Sequence, residues 1–362
     1  MPVTFTGQLR SNEIFAALYN MIISQQTFAD NIDGTYSELV DMARVDGSLY
    51  GDTKTYTATD CLQSVAWGND AEATNLLKLH RPPAPKTQAI FLDIFRMIAL
   101  TTDDYLSKRA WGTEGAFSEF NSVMRGWISD TKRIIDATTY NAFVGTVESE
   151  VGKQQVSINV TAAVGETTGE EAARIKGATI AKAIADLLVA LKDVSRDYND
   201  NGFLRSSRID DLIFVWNADV VHEIEKRDLP TVYHNQIVDR LGEHVLPSRY
   251  FGRINASPTQ GNGTTVRSLI EQDITTSDVT THYFAGDLIK TTDTAPANTS
   301  YTVDATIAFK VMHKRSIPFM SAFEVGTSFF NPRSLTETNY LIWGRNTLDY
   351  LANYPLITAR IA

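Results

Sequence analysis

His222 and Glu223 form the first half of an H-E-x-x-H pattern, in which two histidines one helical turn apart hold zinc and the glutamate activates its water. The position that needs the second histidine is Lys226, so the pair reads as an exposed helix face. The six histidines show no ligand spacing, and only His313, beside Lys314 and Arg315, has an electropositive setting. Cys61 is the only cysteine, which excludes an internal disulfide and a cysteine-based zinc site. Asp103-Asp104 and Asp210-Asp211 are paired carboxylates of the kind that acid–base chemistry uses. Both flank apolar segments, where caps and turns want aspartate. Gly261-Asn262-Gly263-Thr264 lacks a following helix that would aim its amides at a phosphate, so it reads as a turn. No P-loop, dinucleotide fingerprint or nucleophile elbow is present. No catalytic, cofactor-binding or metal-binding residue is expected. What remains is contact chemistry, with Ile14, Leu18, Tyr56, Leu62 and Trp67 as candidate inter-subunit contacts on segments that have no core of their own.

The element that must organise such contacts runs over about 115–147. Phe117, Phe120, Val123, Met124, Trp127, Ile128, Ile134, Ile135, Ala142, Phe143 and Val147 recur near a 3.6-residue period, with Gly126 the only weak point. A helix of that length spans roughly 50 Å. Its stripe is expected to pack on strands around 309–323, so that Trp127→Ala costs about 3–5 kcal/mol.

Before it, Ser11 to about Asp33 carries a helical stripe of Ile14, Leu18, Met21 and Ile22 that needs covering. Residues 47–88 alternate around Tyr56, Thr57, Ala58, Thr59, Leu62, Val65 and Trp67, as a long thin hairpin, mobile until it packs on another copy. Pro82, Pro83 and Pro85 end it in a stiff spacer. The dense apolar run 88–100 reads as a buried strand followed by a short helix near 102–110.

After the long helix, 154–160 reads as a strand. Thr168-x-x-Glu171 marks a capping box for a helix ending near Tyr198, and Asn199-Asp200-Asn201-Gly202 a turn. Residues 211–217 read as a fully buried strand whose Asn217 caps the helix 218–226. Two long strands within 301–327, joined near Ser316–Pro318, return along the chain, and a final apolar stretch covers 354–361.

Hydrophobic residues make up 43% of the chain and charged ones 21%, as in a folded protein with a sizeable core. The net charge of −10 argues against a general nucleic-acid surface. Lys132–Arg133 and His313–Arg315 read as solvated faces. No apolar run is long enough to span a membrane and Met1–Arg10 lacks a secretory layout, so a soluble protein that is not secreted is expected. The sequons at Asn159, Asn262 and Asn298 then read as accidental.

This order of parts resembles the major capsid proteins of tailed bacteriophages, with their HK97-like fold. The residues that carry the resemblance are Pro85-Lys-Thr-Gln-Ala-Ile-Phe-Leu-Asp93 leading to Ile98-Ala-Leu-Thr-Thr102, and Ile134-Ile-Asp-Ala-Thr-Thr-Tyr-Asn-Ala-Phe-Val-Gly145. Leu212-Ile-Phe-Val-Trp-Asn217 and Ile307-Ala-Phe-Lys-Val-Met-His-Lys-Arg315 add to it. The resemblance implies an α+β fold with an N-terminal arm at 1–46 and an extended loop at 47–88. It implies a peripheral domain at 89–165 and 296–334 around the spine helix, and an axial α/β domain at 166–295 and 335–362.

The function implied is that of a structural coat subunit, not an enzyme, which self-assembles as hexamers and pentamers into the icosahedral head around double-stranded DNA. It would be assembled in the host cytoplasm and located in the virion. An encapsulin-like nanocompartment shell or a tail-tube subunit are the alternatives. The chain reaches its arm within about ten residues, so a separate scaffolding protein is expected, with the portal and packaged DNA as indirect partners and no membrane.

Overall fold

The computed structural model describes residues 37–47, 53–64, 79, 81–103, 114–225, 244–254, 273–276, 279–282 and 301–362, with side chains of the long helix from Gly126 onward and at Val123. In chain order these form α1 (Glu38–Ala43), β1 (Arg44–Asp46), β2 (Thr53–Ala58), β3 (Lys86–Asp103), the long helix α2 (Glu114–Thr146), β4 (Gln155–Ile158), α3 (Val160–Val164), α4 (Gly169–Lys192) and β5 (Leu212–Asn217). There follow α5 (Ala218–Glu225), β6 (His244–Leu246), β7 (Gly252–Ile254), β8 (Asp273–Thr276), β9 (Val279–His282), β10 (Tyr301–Val303), β11 (Ile307–His313), β12 (Phe319–Asn331), β13 (Thr336–Asn346) and β14 (Leu356–Ile361). Two five-stranded mixed sheets carry the fold, a long one ordered β1-β12-β13-β3-β2 and a compact one ordered β4-β14-β11-β5-β6.

The compact sheet is closed on both faces. Every residue of β5 is buried, as its unbroken Leu-Ile-Phe-Val-Trp run predicts for a strand covered from two sides. Leu212, Phe214 and Trp216 point, with Phe309, Val311 and Ile357, to one face, where Ile180, Ile184, Leu187 and Leu191 of α4 cover them. Ile213, Val215, Met312 and Leu356 point to the other, against Tyr140, Phe143, Val144 and Val147 from the end of α2. Asn217 accepts the Asp219 N–H at 3.2 Å, as the expected cap of α5. Thr168 stands at the N-cap of α4 without a side-chain cap bond, and that helix stops at Lys192, six residues before Tyr198, because Asp193 turns to an extended conformation.

The long sheet is built differently. The apolar run at 88–100 is part of one 18-residue strand that continues through Thr102 and Asp103, where the start of a helix was expected; the remainder of that helix lies outside the described residues. β3 pairs with β2 from Lys86 to Phe91 and with β13 from Leu92 to Asp103. The two strands expected to return side by side are not partners. β11 pairs with β5 and β14, whereas β12 pairs with β13 and β1, so the turn near Ser316–Pro318 passes the chain from one sheet to the other.

The long helix joins the two sheets, and its burial is polarised. Residues 139–149 are all buried, but Trp127 is 52% exposed and Gly126 has open space around it. The expectation that Trp127 packs in the core is therefore wrong. A continuous 3.6-residue stripe gives a face, but coverage follows how far the neighbouring elements reach along the helix. Lys132 is not solvated either: it is buried and pairs with Glu324 of β12 at 2.7 Å. Arg133 donates to the Ser37 hydroxyl at 3.0 Å.

Candidate assembly surfaces

Opposed residues of paired strands lie on the same face of a sheet. Met97 is opposite Ile342, which is opposite Val325; Ala99 is opposite Tyr340, and Thr338 opposite Phe329. Phe95, Met97, Tyr340, Ile342, Val325 and Phe329 thus share one face of the long sheet, with Phe91 further along β3. That face is open: Phe91 is 57%, Met97 59% and Phe329 62% exposed, and Phe95 and Val325 are also exposed. On the opposite face Trp343 and Arg345 are buried, whereas Phe330, opposite Glu337, is 50% exposed. Phe95 lies across Gly344, where a Cβ would come within 2.9 Å of its ring, so the missing side chain keeps the aromatic flat against the sheet. An exposed apolar face of this kind is a candidate surface for contact with another macromolecule.

A second feature surrounds the ends of β2 and β3, at Thr59–Asp60 and Lys86–Gln88. The Gln88 amide donates to the Tyr350 carbonyl at 2.8 Å and its oxygen accepts the Ala352 N–H at 3.1 Å. Asp60 accepts the Leu204 N–H at 2.9 Å and Arg196 at 2.6 Å; these two donors, the backbone one foremost, hold its carboxyl down to about 2. Arg205 donates to the Thr59 carbonyl at 2.6 Å, and Lys86 to that of Asn201 at 3.2 Å. Lys86, Gln88 and Asn201 line a cleft of about 430 Å³ together with Tyr56, Thr87, Asn353 and Tyr354 among others.

The segment just after the long helix is a polar hub. Lys310, buried in β11, donates to the Val147 carbonyl at 2.6 Å, placing a cation at the negative end of the helix. Burial pushes its ammonium down to about 7, against the pull of Glu148; Arg360 pushes the same way as burial, and Asp304 against it. Arg360 pairs with Glu148. Asp200 accepts from Ser149 at 2.6 Å, Gln154 at 2.6 Å and the Tyr350 hydroxyl at 2.5 Å. Burial and then that last bond push the Tyr350 hydroxyl far up.

Of the five contact residues expected from sequence, Ile14, Leu18 and Trp67 lie outside the described residues. Leu62 is 74% exposed. Tyr56 is half-buried within its own chain, beside the small cluster of Ile90, Leu92, Met320, Ala322 and Leu351. The open-face residues were missed because an apolar run looks the same whether its own chain or another covers it; the Thr101-Thr102-Asp103 continuation was the available sign of a longer strand. His313 is half-buried on the Tyr354 ring, centroids 4.3 Å apart, and burial lowers its pKa. Among the described residues no group of three or more His, Cys, Asp or Glu is placed to hold a metal, and no helix is long and apolar enough to cross a membrane.

The sequence matches the family model of the Phi29-like phage major capsid protein over residues 5–351. No curated protein matches it. Among solved structures, the chain is similar to one from the capsid of Staphylococcus phage Andhra, with TM-score 0.65 and 8% identity over 94% of this chain and 87% of that one. A chain from the structure of the head fiber and inner core protein of native bacteriophage P68 aligns with TM-score 0.62 and 11% identity over 92% of this chain and 87% of that one. One from the mature capsid of bacteriophage PhiM1 aligns with TM-score 0.52 and 9% identity over 94% and 91%. At such identities the likeness is one of fold.

Proposed function

The chain belongs to the Phi29-like phage major capsid proteins and is a structural coat subunit of a phage head; from that premise we propose how its copies hold together. The open face of the long sheet is the principal seat for a neighbouring copy. The single observation that carries this is the apolar face formed by Phe91, Phe95, Met97, Val325 and Phe329, which its own chain leaves in solvent. The hairpin region at 47–88, with Tyr56, Leu62 and Trp67, reaches across to the neighbour, and Ile14 and Leu18 of the arm at 1–46 supply further cover. In this reading the long sheet and spine helix form the peripheral domain and the compact sheet with α4 the axial domain. Residues 307–313 then belong with the axial part and 336–346 with the peripheral part, following their hydrogen-bonded partners.

Copies gather as hexamers and pentamers around an icosahedral head that encloses double-stranded DNA, assembled in the host cytoplasm without any catalytic step. A separate scaffolding protein guides closure, and the portal and DNA are indirect partners. With a subunit charge of −10, a basic patch on that scaffold would be attracted, and early association would weaken as salt shortens the screening length. The family match favours a head protein over the nanocompartment and tail-tube alternatives.

The test is the double substitution Phe95→Ser with Phe329→Ser, read by size exclusion and negative-stain microscopy alongside the unaltered chain, each co-expressed with the scaffold. A folded subunit that forms no shells is expected. Normal shells from the double variant would overturn the assignment of this face.

A further inference from the structure

The outer end of the long sheet has two bare edges. From Val325 to Asn331, β12 pairs with β13 on one side and, among the described residues, with no strand on the other, since β1 reaches only Phe319, Met320 and Ser321. From Met97 to Asp103, β3 likewise pairs with β13 alone, because β2 reaches only Lys86 to Phe91. Both stretches lie against the same part of β13, Thr336 to Ile342, so they are the two flanks of one three-stranded ribbon. A strand flank of this kind presents backbone N–H and carbonyl groups to which another chain can pair.

Neither flank carries the devices that keep sheet edges apart. Val325-Gly-Thr-Ser-Phe-Phe-Asn331 and Met97-Ile-Ala-Leu-Thr-Thr102 contain no charged residue and no proline. The bulge of β12 falls between Ala322 and Val325, with Glu324 in it, just before the bare stretch begins. The other edges of the two large sheets are guarded. β2 carries Lys54, β1 is a three-residue strand bounded by Arg44 and Asp46, and β4 and β6 have four and three residues. Side chains agree with backbone on β12: every residue from Glu324 to Leu335 is exposed, and Gly326 has open space where a Cβ would stand.

Resting on the coat-subunit reading, we infer that the long sheet continues from copy to copy: the free flank of β12 in one subunit pairs, backbone to backbone, with the free flank of β3 in the next. A second copy supplies what the bare edge needs, an uncharged strand with an unpaired flank, and the stretch available on each is that of an ordinary strand of about 5–6 residues. The two flanks are different surfaces of one chain. The contact is therefore head-to-tail, the kind that closes into a ring when the rotation between copies closes. Main-chain hydrogen bonds supply the affinity in such strand addition, and the alternation of side chains fixes its register.

The experiment uses the full chain co-expressed with the proteins that assemble it. Amide exchange is measured on the unassembled subunit and on shells. Successive residues of a strand direct their N–H groups to opposite sides, so every second amide of 325–331 faces away from β13. Those amides, and their counterparts in 97–102, are expected to exchange at least about tenfold more slowly in the shell. Two variants accompany it, Thr327→Pro and Ser328→Pro. One of these adjacent prolines removes a donor to β13 and the other a donor to the outside. The outward one is expected to melt close to the unaltered subunit and to give at least about tenfold fewer shells. Shells whose outward amides exchange as fast as in the free subunit, or normal shell yield from both variants, would overturn the inference. If neither variant folds, the exchange measurement decides alone. If the unaltered chain builds no shells, the coat reading fails its own test and this contact falls with it, whereas shells that keep free-edge exchange contradict the strand pairing only.

Discussion

The compact sheet and the long sheet each have five strands, yet one is finished by its own chain and the other is not. In the compact sheet α4 and the end of the spine helix cover opposite faces, so β5 carries large apolar side chains on both. In the long sheet one face is covered only in part, at Trp343 and Arg345 but not at Phe330, and the aromatic and aliphatic residues on the other stay in water. The compact strands are the more apolar, yet the long sheet also carries large apolar side chains; what most separates the two is whether their own chain covers them. On the proposed reading, the compact sheet answers for the stability of the subunit and the long sheet for its association. Substitutions should therefore separate into those that unfold the subunit and those that leave it folded but alone.

The sharpest break is expected at Phe309, fully buried with its ring centre 4.7 Å from that of Trp216. Phe309→Ala should cost about 3–5 kcal/mol in denaturant unfolding of the unassembled subunit, and little folded protein should be recovered. A loss below about 1 kcal/mol would mean that the compact sheet is not the stabilising one.

Next comes the buried lysine of that sheet. The Lys310 ammonium has a folded-state pKa near 7, below its ordinary 10.5, so above pH 7 the unfolded chain binds the extra proton. Stability from this group should rise as pH goes from about 7 to about 10.5, and be least where the buried ammonium is fully charged. Lys310→Met should flatten that part of the stability profile. An unchanged slope in the variant would remove the lysine from the account.

Gly145 probes the junction of helix and core. A Cβ there would meet the Tyr250 carbonyl oxygen at 2.0 Å, so Gly145→Ala must push the helix off the turn at Ser248–Tyr250, at a cost of about 1–3 kcal/mol. Trp127, near the middle of the same helix, should lose less than about 1 kcal/mol on truncation to alanine. Smallest, and opposite in sign, is Gly126→Ala, which has open space and should stabilise the subunit by about 0.5–1 kcal/mol. Equal effects at Gly126 and Gly145 would erase the polarity of the helix.

Much of the compact sheet was legible in the sequence because its signals are local. An unbroken apolar hexapeptide, an asparagine where a helix begins and an Asn-Asp-Asn-Gly turn each state their structure within a few residues. The long helix announced itself by period, but period says nothing of how far other elements extend, and so Trp127 was misplaced. Which strand joins which sheet depends on partners far apart in the chain: Phe309 lies opposite Trp216, and Met97 opposite Ile342. The contacts of Gln88 were invisible for the same reason, since its partners are Tyr350 and Ala352. Nothing local to the sequence marks Lys310, and only the fold brings it to the end of the helix.

The most direct test of the central claim is a density map of the assembled shell at side-chain resolution. The account predicts that Phe95, Met97 and Phe329 are covered by residues of a neighbouring copy while Phe309 and Trp216 keep the partners they have in the single subunit. A shell in which that face of the long sheet remains in solvent would contradict it.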